Sequence, residues 1–281
     1  MLLVLLATGC GRIDTLRFAY ANTGTSVEWP LGAASVELEI EISPDGRPWL
    51  PVSVDDNMPV PFLLQASAGA IALTGARAAG FGPGGTGSLR LHRDLLPGIG
   101  GGQEIRQRRL SLGSLALSDQ SLLLVEPGDW PHGRPRGGAA GVLGYDLLRR
   151  FTIELDTDAR RLSLYRPGGL DVGGMHTVQR LAVLDRVPYF EVWVESANGP
   201  GQWLRLQLEP GHPGGICLDH DDHAGVVTIA GRAIRVAAAP CPEATSARLQ
   251  AARDGVFGPA ALQGLVMAVD YQGGRIGFRP R

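Results

Sequence analysis

An alternation of apolar and acidic residues begins at Val36. VELEIEI (36–42) puts Val36, Leu38, Ile40 and Ile42 on one face and glutamates on the other, the period of a half-buried strand. SPDGR (43–47) predicts a turn, WLPVSV (49–54) a second strand and DDNMP (55–59) a second turn. VPFLLQA (60–66) predicts a third strand, which climbs through apolar residues to Gln65 before a run of small residues. TGARAAG (74–80) reads as a short helix or turn, and the Gly-rich stretches 82–87 and 98–102 bracket a hairpin region. RRLSLGSLALSDQSLLLVE (108–126) predicts two strands around a Gly-Ser turn, and 131–138 a loop. Residues 11–35 carry no clear period and read as a tether.

The same succession occurs twice. AAGVLGYDLLRRFTIELDTDARRLSLYRP (139–167) contains an apolar strand, a glycine, a short helix, a strand, a polar turn and a last strand. GVFGPAALQGLVMAVDYQGGRIGFRPR (255–281) follows it piece by piece: GVLG with GVFG, YDLLRRFTIELD with PAALQGLVMAVD, ARRLSLYRP with GGRIGFRPR. Upstream, residues 187–218 follow 49–73, each with a strand, a polar turn, a rising apolar strand, one polar residue and a small-residue turn. In this alignment Gln65 corresponds to Glu209. Two related lobes result, 36–166 and 182–281, joined by a linker at 167–181.

Composition narrows the possibilities. A chain of 281 residues can bury a real core, and 40 Gly and 20 Pro favour many turns between short strands. The net charge of −2 offers no basic surface, so nucleic acid is not an expected partner. All 26 basic residues are Arg, and a chain without Lys has no Schiff-base or Lys general-base chemistry.

The chain opens MLLVLLATGCGR, an apolar run followed by Ala7, Thr8, Gly9 and Cys10. This resembles the end of a bacterial lipoprotein signal. The resemblance implies a signal at 1–10, a lipid on Cys10, and an envelope protein facing the periplasm that is anchored by its lipid rather than spanning, because the run is too short to cross a bilayer. A buried N-terminal strand is the other reading of so short a run. Two cysteines remain, Cys217 and Cys241, open to a disulfide or to two separate buried thiols.

The two lobes, and above all GVLGYDLLRRFTIELD with RRLSLYRP, resemble the aspartic proteases, most closely the retropepsin-like lobes of bacterial proteins. The resemblance implies an all-β fold of two pseudo-symmetric lobes with a cleft between them. It also implies an Asp-Thr/Ser-Gly at the end of each rising strand. There two carboxyls share a proton, one activating water and the other protonating the scissile carbonyl. This chain has Gln65-Ala66-Ser67 and Glu209-Pro210-Gly211 at those places. Gln65 cannot act as a base, Glu209 is a methylene longer than Asp, and Ala66 and Pro210 lack the bracing hydroxyl. The expectation is a pseudo-protease whose Gln65 amide hydrogen-bonds Glu209 across the lobe interface, and whose cleft takes an extended peptide or protein by strand addition. The alternatives are an active endopeptidase using Glu209 with a second acid outside the alignment, and a closed structural or assembly module.

Other residues carry weaker signals. HPGGICLDHDDH (212–223) holds metal-ligand types, but its spacing fits no closed zinc motif, and no metal or cofactor is expected. Ser67 and Ser88 are nucleophiles by type only, with no Gly-x-Ser-x-Gly elbow. The Gly-rich stretches lack a Gly-Lys-Ser/Thr ending. Asp55, Asp56, Asp156 and Asp270 fall in turns and are expected to hydrogen-bond there. Trp29, Trp49, Trp130, Trp193 and Trp203 are expected in the core or lining a groove rather than forming a ligand cage.

Overall fold

Three sheets organise the chain. The structure, a computed structural model, describes residues 17–18, 20–74, 87–89, 102–125, 140–196, 200–219, 225–241 and 247–281. The first lobe is a nine-stranded sheet whose centre holds Pro48–Val54, Val60–Leu64, Ala72–Thr74 and Gly141–Leu143. The second lobe is a seven-stranded sheet built on Val187–Ser196, Gln202–Leu208, Ile216–Leu218 and Gly255–Phe257. A six-stranded sheet joins them, in the order Thr177–Arg180, Arg275–Pro280, Leu265–Asp270, Thr152–Asp156, Arg161–Tyr165, Ser35–Glu39. Its central pair takes one strand from each copy of the repeat, with Thr152 opposite Asp270 and Leu155 opposite Met267.

The expected strands form where alternation and turn chemistry predict them. In Ser35–Glu39, Val36 and Leu38 are buried while Glu37 and Glu39 face water. The long hairpin Gly102–Leu112 and Leu115–Val125 turns at Gly113, whose φ of 56° suits a residue without a Cβ. A two-residue hairpin links Ala182–Leu184 to Val187–Ser196 through Asp185 and Arg186, both at positive φ. Asp156 and Asp270 do the turn bonding expected of them: Ala159 N–H donates to Asp156 Oδ1 and Gly273 N–H to Asp270 Oδ1, each at 2.8 Å. Asp55 accepts from Arg109 N–H at 2.9 Å.

One apolar core runs through both lobes and the joining sheet. It holds Leu50, Phe62 and Leu73 from the first lobe, Phe190 and Leu206 from the second, and Leu155, Met267 and Phe278 between them. Each such side chain contributes about 1.5–3 kcal/mol on burial, so the lobes share their largest stabilising term.

Both connectors are built into the fold. The linker 167–181 crosses between the lobes, but its end, Thr177–Arg180, is the edge strand of the joining sheet, paired to Arg275–Pro280. The segment read as a tether contributes the strand Val27–Glu28 on Leu117 and Ala116, and it buries Phe18 and Asn22. The reason lies in pairing: open sheet edges and a buried acid, Asp146, offer this segment partners distant in sequence. Cys10, Trp130, the loop 131–138 and residues 220–223 lie outside the described residues. So do 75–86 and 90–101, leaving only Thr74, Gly87, Ser88 and Gly102 of the segments singled out there. Among the described residues no helix is long and apolar enough to cross a membrane.

Candidate functional site at the lobe interface

Two turns of matching build meet between the lobes. Val60–Leu64 runs into Gln65-Ala66-Ser67-Ala68, and Gln202–Leu208 runs into Glu209-Pro210-Gly211-His212. Each rising strand pairs in parallel with its own apolar-Gly strand: Phe62, Leu63 and Leu64 with Gly141, Val142 and Leu143; Leu206, Gln207 and Leu208 with Gly255, Val256 and Phe257. The next residue repeats the match, for Gln65 N–H donates to the Leu143 carbonyl and Glu209 N–H to the Phe257 carbonyl, each at 3.0 Å. Both turns close alike, with Ala68 N–H on the Gln65 carbonyl at 3.1 Å and His212 N–H on the Glu209 carbonyl at 3.0 Å. Backbone register therefore makes Gln65 and Glu209 counterparts.

The glycines after the apolar strands hold these turns in place. A Cβ on Gly144 would lie 2.0 Å from the Ala68 carbonyl oxygen, and one on Gly258 would lie 2.5 Å from the Gly214 oxygen. Only hydrogen at these positions lets the strand lie directly against the turn.

The two turns touch through Glu209. Its Oε2 accepts the Ser67 backbone N–H of the first lobe at 3.1 Å, and its Oε1 accepts the Gly211 N–H of its own turn at 3.0 Å. The Ser67 hydroxyl and the Ala66 amide also act on the carboxylate. A Cβ placed on Gly211 would sit 3.1 Å from Glu209 Oε1 and 3.2 Å from Gln65 Cγ, so Glu209, Gly211 and Gln65 border one point. The expected bond from the Gln65 amide to Glu209 is replaced: the carboxylate is taken by main-chain donors, because the extra methylene of Glu carries it across to the Ser67 amide. Glu209 is 7% exposed, Ser67 equally buried, and Gln65 half-buried.

Burial pushes the Glu209 carboxyl above the usual value of 4.5, against the Ser67 and Gly211 donors that pull it down. None of the groups that act on it is another carboxylate. Tyr271, half-buried and stacked edge-on against Tyr145 at 5.6 Å, lies close enough to feel the Glu209 charge.

A second buried acid supports the first turn from behind. Asp146, on the short helix Tyr145–Leu148, takes the Asn22 amide on Oδ2 at 3.0 Å. Arg150 bonds the Asp146 carbonyl at 3.0 Å and Thr25 Oγ1 at 2.6 Å, and Arg186 of the second lobe reaches the Gly69 carbonyl at 3.0 Å. Burial raises the Asp146 carboxyl, opposed by Asn22 and the charges of Arg150 and Arg186. Sequence reasoning missed this cluster, since Asn22 and Asp146 are 124 positions apart.

Both acids have folded values above their unfolded ones of 4.5 and 3.8. In that case the folded state holds the extra protons. The stability each contributes is full below the unfolded value and is lost as pH rises through the folded one. As pH is raised from about 4 toward neutral, the urea midpoint of the wild type should therefore fall relative to that of a Glu209→Gln/Asp146→Asn double variant. Parallel curves for the two proteins would contradict the assignment.

The other candidate residues are engaged elsewhere. Cys217 is bonded to Cys241, which resolves the choice between a disulfide and free thiols. His212 Nε2 lies 3.6 Å from Cys217 Sγ. Asp219 forms a buried ion pair with Arg253, 2.9 Å from its Nε. Among the described residues no group of three His, Cys, Asp or Glu could hold a metal. Trp49 is in the core and Trp29 packs edge-on against Phe151, whereas Trp193 and Trp203 are exposed.

Chemically, an acid dyad needs two carboxyls sharing a proton and a water held between them. Here one position holds an amide, and both oxygens of the other accept backbone hydrogens. The arrangement ties the lobes.

No family model matches the chain, and no curated protein matches it in sequence. Solved structures do. The basic 7S globulin from soybean overlays 87% of this chain and 94% of its own with a TM-score of 0.53 and 14% identity. Conglutin gamma, a basic 7S globulin from lupine seeds, overlays 88% of this chain and 95% of its own with a TM-score of 0.53 and 11% identity. A retropepsin-like aspartic protease from Rickettsia conorii matches 50% of this chain and 93% of its own at 20% identity, with a TM-score of 0.34. At such identities the likeness shows the fold alone. That fold is all-β, two-lobed and of the acid-protease type, as the repeat and its resemblance imply.

Proposed function

We propose that this protein is a bacterial envelope lipoprotein that keeps an acid-protease scaffold without its peptidase chemistry, and that its interlobe cleft holds an extended segment of peptide or protein. The observation that supports the loss of catalysis is the pairing of Gln65 with Glu209 at equivalent positions. Glu209 spends both oxygens on the Ser67 and Gly211 amides. An amide cannot take the proton of an attacking water, and a lone carboxylate bound on both sides has no partner with which to share one. Lipidation of Cys10 and the periplasmic location rest on the N-terminal sequence. Peptide binding rests on the fold, in which an extended chain can add its main chain to strands lining a cleft.

The test is cleavage of a peptide library from about pH 3 to 7, the range in which carboxyl dyads work, by the folded wild type and by Glu209→Gln. Neither protein should cleave above background, and the immobilised wild type should retain a subset of the library. Cleavage by the wild type that disappears in the variant would make Glu209 catalytic and overturn the proposal. Absence of retained peptides would overturn its binding half.

A further inference from the structure

Two exposed indoles stand on the second lobe. Trp193 is 44% and Trp203 58% exposed. They face each other directly across the pair formed by Val187–Ser196 and Gln202–Leu208, with ring centroids 5.7 Å apart and planes at 67°. The neighbouring cross-strand pair on that face, Glu191 and Arg205, is joined by an ion pair of 3.3 Å. Trp193 is held against the main chain: a Cβ on Gly201 would lie 2.5 Å from its ring.

The indoles border a recess of about 160 Å³. Phe190 and Phe278, both fully buried, form its floor, and Thr177, Gln179 and Thr228 give its walls hydrogen-bonding groups. It opens at a break in the sheet. Val187–Tyr189 pair with Ala182–Leu184 and Val194–Ser196 pair with Gly225–Val227, which leaves Phe190–Trp193 between two partner strands on that edge. Thr177 Oγ1 accepts the Ala230 N–H at 3.0 Å and lies 3.5 Å from His176 Nδ1. No residue of the Gln65 or Glu209 turns lines this recess.

The lining sets the chemistry of the ligand. None of its residues is charged, so nothing in it compensates the desolvation of an anion or a cation. Apolar floor, indole rim and neutral polar walls fit a neutral molecule with one apolar face and a hydrogen-bonding edge. A pyranose ring has that form: its axial C–H groups make an apolar face, and its hydroxyls lie round the ring's edge. We propose that this recess binds a neutral saccharide, one ring stacked on the Trp193–Trp203 pair with its hydroxyls on Gln179 and Thr228. A lipid surface would use exposed indoles too, but it has no use for a walled recess with three hydrogen-bonding side chains.

The experiment is a titration of tryptophan fluorescence in the full chain with cellobiose, N,N′-diacetylchitobiose and their longer neutral oligomers, beside phosphatidylcholine vesicles. At least one saccharide should produce a saturable change, and Trp203→Ala and Gln179→Ala should each weaken it by about tenfold or more. Trp203→Phe, which keeps an aromatic face, should weaken it less than Trp203→Ala, with thermal midpoints of all variants near that of the wild type. A saturable response to no saccharide, or one unchanged in Trp203→Ala, would overturn the proposal. So would a blue shift with vesicles alone that disappears in Trp203→Ala, which would make the patch a membrane contact.

Discussion

Replacing Glu209 by alanine is expected to lower the stability of the fold by about 4 kcal/mol, since each buried donor left without an acceptor costs about 1–3 kcal/mol. Two donors lose their acceptor at once, the buried Ser67 N–H of the first lobe and the partly buried Gly211 N–H of the second. Glu209→Gln retains one acceptor oxygen and brings an NH₂ against a donor, so its loss should be smaller, about 2 kcal/mol. Urea unfolding of the three proteins at pH 5 and pH 7 measures this directly. A loss below about 1 kcal/mol for the alanine variant would mean that water replaces the carboxylate at no cost, and that Glu209 is not a tie.

Gly144→Ala should be of similar size, about 4 kcal/mol, for a steric reason. The added carbon would sit 2.0 Å from the Ala68 carbonyl oxygen and 2.7 Å from that of Ala70. Both obstacles are main chain, so no side chain can swing aside. The strand Gly141–Leu143 and the turn Gln65–Ala68 must separate, which breaks the Tyr145 N–H bond to the Ala68 carbonyl and draws the Ser67 amide away from Glu209. Gly258→Ala, with its carbon 2.5 Å from the Gly214 oxygen, should do the same on the other lobe. Gly24→Ala, which meets nothing within 4 Å, is the control and should stay within about 0.5 kcal/mol of the wild type. Thermal midpoints distinguish these outcomes. Equal midpoints for Gly144→Ala and Gly24→Ala would contradict the close packing of strand on turn.

How far the sequence told this in advance depends on the range of each interaction. Strands such as Ser35–Glu39 and the hairpin around Gly113 were legible because alternation and turn preference are local. The counterpart relation of Gln65 and Glu209 was legible because a repeat preserves register over a distance no propensity reaches. The donor that grips Glu209 was not. It is the Ser67 main-chain N–H, which every non-proline residue carries, and side-chain types pointed to the Gln65 amide instead. Asp146 is legible from sequence only as part of a short helix, because its partners Asn22 and Arg186 come from other parts of the chain. The Cys217–Cys241 bond stayed open in the sequence. It forms because Ile216–Leu218 and Arg232–Pro240 pair in parallel, bringing the two α-carbons to 5.3 Å. Exposure of Trp193 and Trp203 follows from strand register: both fall on the outward face beside Glu191 and Arg205.

Glu209 binds the lobes together through the Ser67 main-chain hydrogen. Amide hydrogen exchange at Ser67 and Gly211, compared between the wild type and Glu209→Ala at matched pH, reads that bond most directly. Both amides should exchange slowly in the wild type, and both should lose protection in the variant while amides in the Gly102–Leu112 hairpin keep theirs. Unchanged exchange at Ser67 would contradict it, leaving the carboxylate unbound by the opposite lobe and free for chemistry.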